Sequence, residues 1–225
     1  MVTSLPGVPG FLQEFFLNRL LGRIMRLQEL SLLHRVFLMT LLVCPVAHAQ
    51  SGAHTVPVDL DTLVHSAHTI VRGQVVSARV EPHPQFSNLQ TVVVTLSVTK
   101  VLKGEAVPTT TFRQFLWDAR DLPDFAGYKG AGELLLFLNP ISPYGLTSPV
   151  GLEQGRFRIL RDAKGNRYVL NGRGNLGLFD HVADKASSRG LILSKTVREM
   201  IAKPAGQVPL NDFEGVIHLL VGVTN

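Results

Sequence analysis

The sequence predicts a mainly β domain: a small barrel, closed or partly open, of five or six strands, with a short N-terminal helix and a C-terminal helical segment. The first observation is a pair of long strand patterns between residues 70 and 104, joined by a loop that contains proline. The second observation is that the later of these two strands alternates apolar and polar residues, as expected for a half-buried strand whose successive side chains point to opposite faces. Its apolar row is Val92, Val94, Leu96 and Val98, and its opposite row is Val93, Thr95, Ser97 and Thr99. The third observation is that further short strands follow, separated by turn signals, which is typical of a small barrel.

The front of the chain predicts export. Residues 36–46 form an apolar run, Arg26, His34 and Arg35 precede it, and Ala47-His48-Ala49 follows it. This is the order of a secretory signal peptide, so we expect cleavage after Ala49 and a secreted or periplasmic location. Met25 is the expected true start, which makes residues 1–24 an N-terminal extension. A short uncleaved anchor and a genuine amphipathic extension over 1–24 are the alternatives.

Composition narrows the possible chemistry. The chain has 225 residues, a formal charge of +5 and one cysteine, Cys44, which would leave with the signal peptide. The segment 50–225 keeps 18 basic and 15 acidic residues, because four arginines and two glutamates precede it. Without cysteine, disulfides, zinc–thiolate sites and thiol catalysis are excluded from the mature chain. This small surplus of positive charge does not indicate a nucleic-acid partner. We expect the mature chain to be a monomer without a transmembrane segment.

The mature chain divides into three parts. Residues 50–59 are predicted to be a flexible leader, and a short helix then begins at Asp59 or Asp61, either of which can cap it. The barrel domain covers residues 60–180. Its first strand carries an interrupting glycine, Gly73, which predicts a bulge or bend. A loop over 81–88, the long alternating strand and a strand over 109–117 follow.

The second half of the barrel domain contains two more long loops, over 118–132 and 141–154, both rich in glycine and proline. Between them, the continuous apolar run ELLLFL (133–138) predicts a fully buried strand. A hairpin follows, with strands over 155–161 and 168–170 and a turn at Gly165. Residues 181–225 are predicted to be a helical segment packed on the barrel. In it we expect a helix over 194–203 and a last helix capped by Asn211 or Asp212, with Phe213, Val216, Ile217 and Leu220 on its apolar side.

These elements resemble the start of netrin-like domains, the group that includes the tissue inhibitors of metalloproteinases. The resemblance rests on the short helix, the run IVRGQVV (70–76), the long alternating strand and the closing VLKG (101–104), and it covers residues 60–104. It implies an oligonucleotide/oligosaccharide-binding (OB) barrel. The chain also resembles a family of uncharacterised exported bacterial proteins over residues 60–176, through GELLLFL (132–138) and GLEQGRF (151–157).

One departure limits what the resemblance implies. The metalloproteinase inhibitors act through an N-terminal cysteine that chelates the zinc of the enzyme. The mature chain would begin at Gln50 and has no cysteine. The resemblance therefore implies the fold and not that inhibitory chemistry.

Two groups of residues have the types that bind metals, but neither spacing predicts a site. His65 and His68 stand three residues apart on the first helix, and no third ligand is identifiable. Asp118, Asp121 and Asp124 would offer oxygen ligands for Ca²⁺, but Arg120 and Pro123 lie among them. We therefore expect no metal and no cofactor, and we treat the three aspartates as candidate contacts for another ligand.

Other candidate ligand contacts are Arg156 and Arg158, which share one face of a predicted strand, and Tyr128 in the loop 118–132. An arginine stripe on an OB-like barrel can bind an anionic polymer. The run GRGNLG (172–177) matches a dinucleotide-binding motif in form, but it follows a hairpin and not a βαβ unit, so we interpret it as a turn.

The leading hypothesis is a non-catalytic binding domain that contacts a secreted protein or an envelope polymer through the three long loops. No catalytic spacing such as G-x-S-x-G or H-E-x-x-H is present. Two alternatives stay open. One is an envelope hydrolase whose site is assembled from distant residues, and the other is a protease inhibitor that acts through a loop without chelating zinc.

Overall fold

The computed structural model describes residues 56–222, and the predicted signal peptide, the start at Met25 and the cleavage site lie outside this range. The described part contains seven antiparallel strands in one sheet and four helices. The strands are β1 (Thr69–Pro82), β2 (Gln90–Lys103), β3 (Thr109–Phe115), β4 (Glu133–Leu138), β5 (Arg156–Arg161), β6 (Arg167–Asn171) and β7 (Val208–Pro209). The helices are α1 (Leu60–Ser66), α2 (Val182–Ser188), α3 (Lys195–Ile201) and α4 (Leu210–Gly222).

The sheet is open. Its strand order is β3-β2-β1-β4-β5-β6-β7, and within residues 56–222 the two edge strands do not pair with each other. The predicted barrel is therefore not confirmed, although the mainly β class is. The sheet has seven strands and not five or six because β7, inside the segment predicted as helical, pairs with β6 through Tyr168 and Val169. A strand of two residues has no periodicity from which it could be predicted.

Both faces of the sheet bury apolar side chains. In β4, Leu135 and Phe137 belong to one core cluster, whereas Leu134, Leu136 and Leu138 belong to the other. Because successive residues of a strand point to opposite faces, β4 is covered on both sides. The prediction of a fully buried strand over 133–138 is confirmed.

The larger core cluster lies between the sheet and the helices. α1 begins at its cap Asp59, whose carboxylate accepts a hydrogen bond from the Thr62 amide. α4 contributes the apolar side that the sequence predicted, with Phe213, Val216, Ile217 and Leu220. α1 adds the buried apolar residues Leu60, Leu63, Val64 and Ala67. α3 lies inside the predicted range 194–203 and is capped by Ser194. α2 lies inside the segment 181–225 that was predicted as helical, but it was not predicted as a separate helix.

The smaller core cluster lies on the opposite face, and its strand residues come from β1 to β4. The apolar row of β2 points into it as predicted, through Val92, Val94 and Leu96 with Val98 at its edge. β1 changes register at Gly73, where an added Cβ would lie 2.5 Å from the Ser97 carbonyl oxygen. A side chain at this position would therefore clash with β2, which explains the glycine. The predicted bulge at Gly73 is confirmed.

The loop that follows β4 in the chain packs against the edge strand β3 before it reaches β5. Leu138 forms an isolated antiparallel bridge with Pro149, and Arg113 forms an isolated parallel bridge with Leu146. The Thr147 amide donates to the Arg113 carbonyl oxygen at 2.9 Å. This loop therefore contacts β4 and β3 at the same time. Within residues 56–222, no helix has the length and apolar character needed to cross a bilayer.

Candidate functional site

Two of the long loops meet at a buried histidine. His83, 3% exposed, follows the last residue of β1, and its Nδ1 accepts a hydrogen bond from the Gln85 amide at 3.1 Å. An amide N–H can only donate, so Nδ1 is unprotonated and Nε2 carries the hydrogen. Nε2 therefore donates to the Tyr144 carbonyl oxygen, 2.9 Å away in the loop after β4. One side chain thus joins loops that lie 61 residues apart in the sequence.

Two exposed aromatic rings lie on this junction. Phe86, 41% exposed, stacks on the His83 ring with centroids 5.1 Å apart. Tyr144, 57% exposed, meets Phe86 edge to face at 5.5 Å. We call these two rings, supported by His83, the aromatic surface. Exposed aromatic rings in contact are a sign of a binding site, because a large apolar area left in water costs free energy that a ligand can recover.

A charged pair borders the aromatic surface. Glu81 is two residues before His83, and Arg113 donates hydrogen bonds to its carboxylate and to the Thr91 hydroxyl. Hydrogen bonds from Arg79 and then from Arg113 hold the pKa of the Glu81 carboxyl below its usual range. Because the carboxylate offsets one of the two arginines, this border carries a net charge of +1.

A third exposed ring lies at the same end of the sheet. Trp117 follows β3, and its indole packs against Phe115 with ring centroids 4.5 Å apart. The Leu116 amide donates to the Gln90 carbonyl oxygen, which places this segment beside the first residue of β2. Trp117 therefore extends the set of exposed aromatic side chains near the loop between β1 and β2.

The loop over 118–132 behaves differently, because it folds onto the smaller core cluster. Tyr128 is fully buried there, and its hydroxyl donates to the Gln114 side-chain oxygen at 3.0 Å. Arg156 lies over the Tyr128 ring at 4.9 Å and donates to the Ala126 carbonyl oxygen. Burial raises the pKa of the Tyr128 hydroxyl to about 12. The structure thus brings two predicted site residues, Tyr128 and Arg156, together inside the fold.

The three predicted aspartates lie in the first part of the same loop, where Asp118 and Asp121 are half-buried and Asp124 is exposed. Asp118 caps a 3₁₀ helix (Ala119–Asp121), and hydrogen bonds from the Arg120 side chain and amide lower its pKa to about 2. Burial, together with the neighbouring charges of Asp118 and Asp124, raises the pKa of Asp121. Within residues 56–222, no three His, Cys, Asp or Glu side chains are grouped so that they could hold a metal ion.

The remaining predicted residues do not converge. His65 lies in the last turn of α1 and His68 just before β1, and both side chains are exposed. Arg158 is exposed, whereas Arg156 is half-buried over Tyr128. The two arginines share a strand face as predicted, but they have different surroundings.

Sequence reasoning missed the aromatic surface. The available signal was the presence of Phe86 and Tyr144 in loops rich in proline and glycine, where a large aromatic residue has no strand pattern to belong to. His83 gave no signal, since its two partners are backbone groups. The pairing of the two loops depends on the fold.

Comparison with protein-family models, with curated proteins and with solved structures found no match to this chain. The resemblance to netrin-like domains and to exported bacterial proteins therefore stays a prediction. The fold and the site define a mainly β domain with an aromatic surface built from two loops.

Proposed function

We propose that this chain is an exported, non-catalytic binding domain whose aromatic surface holds a glycan chain of the cell envelope. The contact of the exposed rings of Phe86 and Tyr144 over buried His83 carries the proposal. The His83 ring beneath Phe86 is fixed by hydrogen bonds to two backbone groups, and this support limits the ordering entropy lost when a ligand binds to the aromatic surface.

The chemistry of the surface favours a saccharide. A sugar ring has an apolar C–H face that packs on an aromatic ring, and hydroxyl groups that need hydrogen-bond partners. Exposed polar side chains, Gln85 and Asn88, lie in the loop that carries Phe86. The bordering Glu81 offsets one of its two partners, Arg79 and Arg113, so the border keeps a net charge of +1, which is no strong field for a highly charged polymer. These features favour a neutral glycan over a nucleic acid.

A structural role for His83 supports binding over hydrolysis. Both ring nitrogens are occupied by backbone groups, so the ring is held as a scaffold. The other described histidines, His65, His68, His181 and His218, have exposed side chains.

We also infer that β1 to β4 form an OB-like barrel of the netrin-like kind. β1 pairs with β2 along one edge and with β4 along the other. Residues 146–149 bridge to β3 in parallel and to the end of β4 in antiparallel, which would complete a ring of five strands around the smaller core cluster. In OB folds the loop between strands 1 and 2 and the loop between strands 4 and 5 bind oligonucleotides and oligosaccharides. Phe86 and Tyr144 lie in the corresponding two loops.

The test is co-sedimentation of the purified protein with insoluble envelope polymers, beginning with peptidoglycan sacculi. We expect Phe86→Ala and Tyr144→Ala each to weaken binding by about tenfold, because truncating an aromatic residue at the centre of a contact costs about 1–2 kcal/mol. Ile192→Ala is the matched control, because Ile192 is an exposed apolar residue in a different part of the chain.

Equal binding by wild type and both aromatic variants would contradict the proposal. Retention of a single secreted protein from culture medium, lost in the same two variants and without any glycan binding, would instead assign the surface to a protein partner. Release of soluble fragments from the polymer would favour the hydrolase.

A further inference from the structure

A cluster of charged side chains, separate from the aromatic surface, lies on the helix-covered face of the sheet. Its members come from five strands and one helix, and we call it the Glu133 cluster: Arg72, Lys100, Glu133, Arg161, Arg167 and Glu214. It contains four cationic groups and two carboxylates, a surplus of two positive charges. These residues are distinct from the aromatic surface, and nothing in the proposed function depends on them.

The buried half of the cluster is well paired. Glu214 of α4 accepts a hydrogen bond from Arg72 at 2.6 Å and one from Lys100 at 2.7 Å. The Arg72 Nε lies 3.2 Å from the Glu133 carboxylate. The charge of Glu214 is therefore satisfied by two cations, and Glu133 is the carboxylate that faces the other two arginines.

The exposed half is poorly paired. Arg161 and Arg167 are direct partners in the β5–β6 ladder, so two like charges lie opposite each other. Such a pair destabilises a sheet. Their guanidinium nitrogens are 3.6 Å and 3.9 Å from Glu133, too far for hydrogen bonds. Within residues 56–222 these two ion pairs are the only ones that either arginine makes.

The nearest acidic residue in the chain does not compensate for this. Asp162 follows Arg161 directly, but its carboxylate accepts from the Lys164 and Asn166 amides, from the Asn166 side chain and from the Tyr168 hydroxyl. These bonds close the hairpin turn between β5 and β6. The Asp162 carboxylate is thus directed into the turn, where its oxygens are already hydrogen-bonded to groups other than the two arginines.

We propose that Arg161 and Arg167 form a binding site for a phosphate group, with Lys100 and Arg72 adding to the positive field. The side chains are 63% and 32% exposed, so a ligand can reach both. A tetrahedral oxyanion can accept hydrogen bonds from two guanidinium groups at once, and each guanidinium offers a planar pair of donors. Glu133 holds the two arginines at long range without a ligand and repels the anion when it arrives.

This arrangement predicts that substitutions of the arginines and of Glu133 change the affinity for phosphate in opposite directions. Arg161→Gln and Arg167→Gln remove donors and positive charge, so each should weaken phosphate binding by about tenfold. Glu133→Gln removes the competing negative charge and should strengthen binding several-fold. Arg158→Gln is the matched control, since Arg158 is an exposed arginine of the same strand that points to the opposite face.

The experiment is calorimetric titration of the intact protein with inorganic phosphate at low ionic strength, repeated with vesicles of phosphatidylcholine and with vesicles that contain phosphatidylglycerol. Binding of both probes with the same dependence on Arg161 and Arg167 would assign the site to a lipid headgroup. Binding of inorganic phosphate alone would assign it to a free phosphate. Because Arg161 is exposed, Arg161→Gln should fold normally, and the test does not depend on the folding of Glu133→Gln.

Three results would overturn the proposal. The first is no saturable phosphate binding by the wild type. The second is a loss of affinity in Arg158→Gln equal to that in Arg161→Gln, which would show a general attraction to a basic surface. The third is an unchanged or reduced affinity in a folded Glu133→Gln protein.

Discussion

At the scale of single residues, the structure depends on polar groups that are buried with one or two partners. Tyr128 and His83 are the clearest cases, since Tyr128 donates through its buried hydroxyl to Gln114 and His83 forms hydrogen bonds through both ring nitrogens. A buried polar group that loses its partner keeps its desolvation cost. Single substitutions at these positions should therefore have large and specific effects.

Tyr128 predicts a loss of stability at high pH. Its pKa is raised by burial to about 12, above the value of about 10 in an unfolded chain. The folded state therefore favours the neutral phenol, and this contribution is fully present below pH 10 and is lost as pH rises toward 12. Tyr128→Phe should remove this dependence and should lower the free energy of unfolding by about 1–3 kcal/mol, because Gln114 stays buried without its donor. Urea unfolding at pH 8 and pH 11 measures both effects, and an identical pH dependence in the variant would contradict the assignment.

His83 predicts a coupling between two loops. His83→Ala removes the donor to Tyr144 and the acceptor for Gln85, so both loops should become more mobile. We expect faster hydrogen exchange at the Gln85 amide and weaker binding at the aromatic surface. His65→Ala, which changes an exposed histidine, is the control. Unchanged exchange at Gln85 in the His83 variant would show that the loops are held by other contacts.

At the scale of elements, most strands and helices could be predicted because their signals are local, whereas the two-residue strand β7 and the short helix α2 could not. The alternation of β2, the continuous apolar run of β4 and the spacing of Phe213, Val216 and Ile217 in α4 each occupy one stretch of sequence. The contacts that build the sites could not be predicted in this way. Arg72 and Glu214 lie 142 residues apart, and only the docking of α4 on the sheet brings them together.

Because α4 docks on the sheet through Glu214, we predict that a substitution of Glu214 lowers the stability of the fold. Glu214→Gln would leave Arg72 and Lys100 without their shared carboxylate, and α4 would lose its charged contact with the sheet. We expect the free energy of unfolding to fall by about 2–4 kcal/mol, less than for a wholly buried pair because Lys100 is partly in water. Urea unfolding measures the change, with an unaltered m-value. Glu199→Gln, which breaks an exposed pair with Lys195, should cost less than about 0.5 kcal/mol. Equal costs for the two variants would contradict a role for Glu214 in docking.

At the scale of the whole molecule, the mainly β class followed from the sequence, whereas the closure of the sheet did not. The strand order is open, and the loop after β4 is linked to β3 and to the end of β4 only by single bridges, Leu146 with Arg113 and Pro149 with Leu138, within the described residues. Isolated bridges between a loop and an edge strand have no sequence pattern. The inferred barrel predicts that the Thr147 amide, which donates to Arg113, exchanges hydrogen as slowly as amides inside β2. If the Thr147 amide exchanges as fast as the amides of an exposed loop, the sheet is open in solution and the inferred barrel is wrong.

The most direct test of the account is a nuclear magnetic resonance titration of the protein with soluble glycan fragments released from the cell envelope. If the aromatic surface binds a glycan, chemical-shift changes will be concentrated in residues 83–89 and 141–147, will saturate with fragment concentration and will be lost in Phe86→Ala. Changes that are absent, or that persist in Phe86→Ala and centre on other parts of the sheet, would contradict the assignment of the aromatic surface as the binding site.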